Sequence, residues 1–191
     1  MLLWFVFKYV IIVLMAFTDP KENLKELNLN DGMVVADLGA GVGNYTMLAS
    51  KEVGSGKVYA IDVQNGLLEK LQNDAIQKGI SNIEIIWANL EKEAGSKLAD
   101  NSVDAVIISN ILFLIEDKNS FIAEAKRILR TGGEALVVDW SDSFSGLGPQ
   151  QEHILSEEDA QKLFKDNNFE IKKILFDAGE HHYGFIAKLL G

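Results

Sequence analysis

Residues able to do chemistry cluster where short polar or glycine-rich stretches interrupt apolar runs. Most distinctive is Asp37-Leu38-Gly39-Ala40-Gly41-Val42-Gly43-Asn44, where glycines recur at alternate positions directly after the apolar run Met33-Val34-Val35-Ala36. Lacking a Cβ, glycine lets backbone come close to a bound group, and a helix starting there turns its amide N–H groups toward a polar ligand. Nineteen residues beyond Gly43, Asp62 closes a second apolar run. From that placement a carboxylate accepts hydrogen bonds from a ribose diol. The plain alternative is a tight turn that packs helix on sheet, but the order strand, loop, helix, strand, carboxylate favours a small nucleotide-like ligand. The dinucleotide fingerprint would need glycine at position 44, where Asn44 stands, and no Gly-Lys-Ser or Gly-Lys-Thr follows the loop. Pyrophosphate and P-loop chemistry therefore lose ground. A second set of groups, Asp142, His181 and His182, with His153 as a further candidate, could hold or move a proton for an acceptor. Adjacent histidines on a strand point to opposite faces, so no metal is expected there.

These groups need elements to position them. Apolar runs at Met33–Leu38, Lys57–Asp62, Ile83–Trp87, Val103–Ser109 and Glu134–Trp140 read as buried strands of a parallel sheet. Between them lie amphipathic stretches, such as Leu67, Leu68, Leu71 and Ala75 on one helix face, and Phe121, Ile122, Ala125, Ile128 and Leu129 on another. The second of these helices is expected to stop at Gly132-Gly133. Asp19-Pro20 opens a short helix through Leu27, and Ser156 caps another over Ser156–Lys165 with Asp159 at the capping-box position. Two final strands, Phe169–Phe176 and His182–Leu189, close a hairpin. The pattern is that of an α/β fold with a doubly wound sheet and a terminal hairpin.

Composition narrows the function classes. The 191 residues suit one domain, and 48% hydrophobic with 24% charged is globular usage. Acidic residues outnumber basic ones, 28 to 18, so the formal charge of −10 repels polyanions and no nucleic-acid partner is expected. The absence of cysteine excludes disulfides, thiolate metal sites and cysteine nucleophiles.

The glycine loop with Ala60-Ile61-Asp62 resembles the first and second motifs of class I S-adenosylmethionine-dependent methyltransferases. Asp100-Asn101-Ser102-Val103-Asp104 with Ser109-Asn110-Ile111-Leu112 resembles the family's fourth-strand region, and Arg127-Ile128-Leu129-Arg130-Thr131-Gly132-Gly133 its turn into the fifth strand. The resemblance spans about residues 20 to 189. It implies a Rossmann-like sheet of seven strands in the order 3-2-1-4-5-7-6, mostly parallel with a C-terminal antiparallel strand. It also implies that S-adenosylmethionine is the cofactor and S-adenosylhomocysteine the product. Gly39, Gly41 and Gly43 would pass close to the methionine end, with Asp37 beneath. Asp62 would take the ribose hydroxyls. Asn89 stands where the family often has Asp toward the adenine amine, and Leu90 would offer an adjacent amide. Ser109 and Asn110 would face the reactive side. The stretches Asp139–Asp142 and His181–Tyr183 are expected at the mouth of the site, where Asp142, His181 and His182 would serve as acceptor-side base or orienting groups. The acceptor is expected to be a small molecule. The rival readings are a protein that binds the cofactor without catalysis, and a nicotinamide-dependent oxidoreductase.

Residues 1–17, MLLWFVFKYVIIVLMAF, stand apart from the single methyltransferase-like domain expected over 18–191. The run is short for a membrane span and carries Lys8 near its middle. It reads as a lid, an interface anchor through which the protein would touch a membrane, or a leader; a full signal peptide would remove the chain from its cytoplasmic cofactor, so a cytoplasmic location is expected.

Overall fold

A computed structural model of the chain describes residues 18–144 and 148–191. The segment 1–17, and with it the choice among lid, anchor and leader, lies outside the described residues. Seven strands form one sheet: β1 (Val34–Leu38), β2 (Lys57–Asp62), β3 (Ile83–Trp87), β4 (Val103–Ser109), β5 (Leu129–Trp140), β6 (Phe169–Ile174) and β7 (His182–Leu189). They run in the order β3-β2-β1-β4-β5-β7-β6, as the resemblance implies. Strands β1 to β5 pair in parallel, and β7 is antiparallel to both β5 and β6. The helices are α1 (Pro20–Lys25), α2 (Asn44–Glu52), α3 (Asn65–Gln77), α4 (Lys118–Ile128) and α5 (Glu157–Asp166). No helix among the described residues is long and apolar enough to cross a membrane.

The near-continuous apolar strands follow from burial on both faces. On one face Val35, Ala105, Ile107, Leu136 and Val138 pack with Leu24, Leu27, Tyr45, Ala49 and Val53 of the α1–α2 side. On the other, Ala36, Leu38, Val106, Ile108 and Val137 pack with Phe121, Ile122, Ile128 and Phe164. Phe164 makes edge contacts with Phe169 and Phe185 at 5.2 and 5.4 Å, which seats α5 against the terminal hairpin. Asp19 caps α1 through its side chain, with Pro20 following at the first turn. Ser156 caps α5, while Asp159 takes the Ser156 hydroxyl at 2.7 Å.

One boundary differs from the sequence expectation. Helix α4 ends at Ile128, and β5 begins at once with Leu129, so Gly132-Gly133 lies inside the strand rather than at the helix end. The pairing of β5 with β4 jumps from Val103–Leu129 to Ala105–Glu134, a bulge that loops out the intervening residues. A Cβ at Gly133 would meet the Asp104 carbonyl oxygen at 2.8 Å, so glycine is needed for close strand approach, not for helix termination.

The long connection from β3 to β4 is tied to α4 by a polar knot. Glu124, only 4% exposed, accepts from the Ser96 amide at 2.8 Å and from Arg127 at two points, both 2.8 Å. Arg127 reaches on to Asp100 and to the Leu98 carbonyl. Burial pushes the Glu124 carboxyl up, but the Arg127 guanidinium and Ser96 outweigh it and hold it below the usual range. Arg127→Ala leaves that buried carboxylate without its counter-charge, held by the Ser96 amide, and should cost about 3 kcal/mol. Arg130→Ala, which breaks a more exposed pair with Asp104, should cost below about 1 kcal/mol. Urea unfolding of the two variants checks the contrast.

Candidate functional site

Because β1 to β5 are parallel, the loops that follow them open on one edge of the sheet, and the start of β7 joins them there. From β1 the chain moves outward to β2 and β3 on one side, and the connection from β3 then returns past β1 to β4 on the other. This reversal makes a crevice where ligands of open α/β sheets bind.

The glycine loop lines that crevice. Gly39, Gly41 and Gly43 have φ of 84°, 55° and 85°, the left-handed region that favours glycine. Their surroundings differ. A Cβ at Gly39 would collide with Ile111 and one at Gly43 with Leu71, whereas a Cβ at Gly41 would meet nothing within 4 Å. The outer glycines are thus demanded by packing, and the middle one borders open space. Gly43 is also the N-cap of α2, without any side-chain cap, so the first-turn amides of that helix are left for other partners.

Two acids hold the loop. Asp62 is 7% exposed; one carboxylate oxygen accepts from the Gly41 amide at 2.9 Å and the other from Gln64 at 2.8 Å. Each oxygen has a further lone pair, so a diol can still be accepted. Asp37, 3% exposed, accepts from the Thr46 hydroxyl at 2.5 Å. Burial raises its pKa to about 7, with Thr46 opposing the shift and the Asp62 charge adding to it.

On the β3 side, Asn89 is exposed and its side-chain oxygen accepts from the Glu91 amide at 2.9 Å in a local turn. Leu90 is buried. Trp87, 62% exposed, and Val63, 59% exposed, flank Asp62, and the Trp87 indole donates to the Val63 carbonyl at 2.9 Å. Sequence reasoning had no role for Val63; the signal for it was an apolar residue directly after the acidic strand end. The Glu91 carboxylate accepts from the Glu116 and Asp117 amides at 2.8 and 2.9 Å, which ties this loop to the one after β4.

Ser109 belongs to a buried polar chain. Its side chain hydrogen-bonds the Tyr45 hydroxyl, which Asn23 also meets at 3.2 Å, and Asn23 donates to the Ala178 carbonyl at 2.9 Å. Burial pushes the Tyr45 hydroxyl up to about 12. Asn110 takes a left-handed conformation, φ 53°, and its amide donates to the Val138 carbonyl at 2.9 Å. The side-chain oxygen of Asn110 is buried without a partner.

The expected mouth residues separate into two kinds. Asp139, Trp140 and Tyr183 are not at the mouth: they are 2%, 0% and 5% exposed, because β5 and β7 continue their pairing to Trp140–His182 and sink these side chains into the core. Asp139 does structural work that the sequence did not reveal. Its carboxylate accepts from the Ile111 and Leu112 amides at 3.1 and 2.8 Å and from Trp140 at 2.8 Å, so it fixes the turn after β4. Burial raises its pKa to about 6 against those three amides. Asp142 is exposed and pairs with His181 Nδ1 at 2.6 Å, while Phe144 stacks on the His181 ring at 4.5 Å. His182 Nδ1 lies 2.7 Å from the Glu180 carbonyl, beside the Trp140 ring at 4.3 Å. Burial lowers its pKa. His153 sits in an exposed turn, Gln151–His153, apart from these contacts. A cavity of about 690 Å³ opens between Thr18–Glu22 and Asp177–Glu180, with Asp19, Glu22, Asp177 and Glu180 on its walls.

The sequence pattern of the family described as "Methyltransferase domain" matches residues 29–184. The Ubiquinone/menaquinone biosynthesis C-methyltransferase UbiE of Hahella chejuensis is 37% identical over 112 residues, covering 58% of this chain and 44% of that one. The protein of the same name from Klebsiella pneumoniae is 35% identical over 115 residues, 58% of this chain and 43% of that one. The match thus spans less than half the length of these curated relatives. Among solved structures, a SAM-dependent methyltransferase from Aquifex aeolicus superposes with a TM-score of 0.82 at 29% identity, over 91% of each chain. The [4+2]-cyclase SpnF, at 15% identity and a TM-score of 0.75 over 90% of this chain and 80% of that one, shares the fold alone. Seven strands in this order, the left-handed glycine loop with its acidic partner, and the match over 29–184 together make the chain a member of the class I S-adenosylmethionine-dependent methyltransferase family.

Proposed function

We propose that this chain transfers the methyl group of S-adenosylmethionine to a small-molecule acceptor and releases S-adenosylhomocysteine. The observation that carries this reading is the open side of Gly41, framed by two glycines that packing demands and held by the Asp62 carboxylate. The residues present fit the cofactor. Asp62 has lone pairs for a ribose diol, and the loop amides with Asp37 suit the charged methionine end. Asn89 and the Leu90 amide would serve the adenine, beside which Val63 and Trp87 offer exposed apolar surface. Ser109 and the partnerless oxygen of Asn110 face the reactive side. When bound, the sulfonium supplies an activated methyl carbon, and the protein's share is chiefly to align acceptor and donor and to exclude water. On the acceptor side, Asp142 orients His181 and Glu180 orients His182. The UbiE relatives, named for methylation at carbon in quinone biosynthesis, support a small-molecule acceptor.

Three outcomes are expected in calorimetric titrations with S-adenosylmethionine. Asp62→Ala should weaken binding by about 1–3 kcal/mol through loss of charged hydrogen bonds; unchanged affinity would remove Asp62 from the site. Gly41→Ala should remain folded, at a left-handed cost of about 1–2 kcal/mol, and lose cofactor binding, whereas Gly39→Ala should lower the melting temperature further because of Ile111. Wild-type affinity should fall as the pH drops from about 7 toward 5.5: below its raised pKa Asp37 is protonated and must give up that proton to pair with the cofactor's ammonium group. Asp37→Asn should remove that slope.

A further inference from the structure

Buried polar side chains are nearly always partnered, because an unmade hydrogen bond costs about 1–3 kcal/mol. Among the described residues, His182 Nε2, the Asn110 side-chain oxygen and the Tyr183 hydroxyl are buried without a partner; His182 and Tyr183 begin β7 and Asn110 follows the end of β4, two strands separated by β5 on the crevice edge of the sheet. Tyr183 and His182 are neighbours on β7 and so point to opposite faces; Tyr183 packs with Phe185 in the core. His182 and Asn110 remain.

The tautomer of His182 follows from its contact. A carbonyl oxygen only accepts, so His182 Nδ1, 2.7 Å from Glu180, carries the hydrogen, and in the neutral ring Nε2 carries the lone pair. The His182 amide is itself held by the Gly179 carbonyl at 3.1 Å, and Trp140 lies against the ring. The imidazole is therefore fixed in orientation, 9% exposed, with one acceptor lone pair unused. Gly179 and Glu180, which clamp it, also line the 690 Å³ cavity beside α1, so ligand-sized space adjoins the clamp. Asn110 adds a second unused acceptor at the end of β4, across β5 on the same edge of the sheet.

Resting on the methyltransferase reading, we infer that the acceptor is a protic one, bringing an O–H or N–H to His182 Nε2, and that His182 rather than the more exposed His181–Asp142 pair receives its proton. As the acceptor's oxygen or nitrogen forms a bond to the methyl carbon, the carbon–sulfur bond breaks and its electron pair stays on sulfur. The proton passes to Nε2, so one positive charge moves from sulfonium to imidazolium and is later released to water. His181, paired with Asp142 and stacked on Phe144, then shapes the adjoining loop.

Nitrogen NMR of the ¹⁵N-histidine-labelled full chain tests this, because His182→Phe assigns the resonance and Nε2 reports its own partner. Calorimetry with S-adenosylhomocysteine is read first, and absence of binding there would overturn the cofactor reading alone. The probes are then phenol, aniline and anisole, which share a ring and differ in offering O–H, N–H or neither. The expected result is an unprotonated Nε2 in the free protein that shifts saturably with phenol or aniline and not with anisole. A response to only one protic probe assigns oxygen or nitrogen. A protonated Nε2, equal responses to phenol and anisole, or no response to any probe overturns the proposal. His182→Phe should lose the protic-over-aprotic preference in probe binding while keeping affinity for S-adenosylhomocysteine.

Discussion

Between β1 and α2 the chain has to leave the sheet, turn and begin a helix within a few residues, and it does so with three residues in the left-handed region. Much of the site depends on that turn. The amides of Gly39 and Ala40 are taken up by the Ile61 carbonyl at 2.8 and 3.0 Å, which pins the loop to β2, and the Gly41 amide goes to Asp62 at the end of the same strand. Ile111 lies where a side chain on Gly39 would be, and Leu71 where one on Gly43 would be. The turn is therefore compressed from both sides, by the loop after β4 and by α3, and its middle is left bare. A bare surface for a ligand results, and the side chains of Ile111 and Leu71 would have to shift before another residue could stand at its edges.

Buried acids set the electrostatics of this edge. Asp62 ends its strand and Asp37 and Asp139 stand one residue before the ends of theirs; all are almost wholly buried, and each meets amide or hydroxyl hydrogens. Asp139 is satisfied by three amides and acts on the turn that carries Ile111. Asp37 has fewer donors, and burial, only partly offset by Thr46, raises its pKa to about 7. A cationic ligand complements such a site, and it does so in a protein whose overall charge of −10 points the same way.

The edge nearest β7 follows a different logic. There the Asn110 side-chain oxygen and His182 Nε2 are buried without partners, while a few residues away the Ser109–Tyr45–Asn23 chain satisfies its members. Strand pairing between β5 and β7 to Trp140–His182 brings the two histidines to the crevice and, by strand alternation and turn geometry, gives them unlike surroundings: His181 with φ 63° and a carboxylate, His182 in extended backbone with a carbonyl.

Local pattern determined a good deal. Apolar runs long enough for buried strands, alternating with amphipathic stretches, carried the α/β class, and glycines at alternate positions followed by Asp62 carried the kind of ligand, because both signals are periodicities within one or two elements. The start of β5 was hidden, since Arg130-Thr131-Gly132-Gly133 reads as a helix stop and only the approach of β4 makes it a bulge. Asp139, Val63 and the division between His181 and His182 were hidden for the same kind of reason. Whether Asp139 faces solvent or also takes the Ile111 and Leu112 amides, and whether His181 meets a carboxylate, depends on residues 27 to 39 positions away in the chain. Only the packed sheet brings those partners together, and hydrogen-bond satisfaction in a buried site is decided by what it brings.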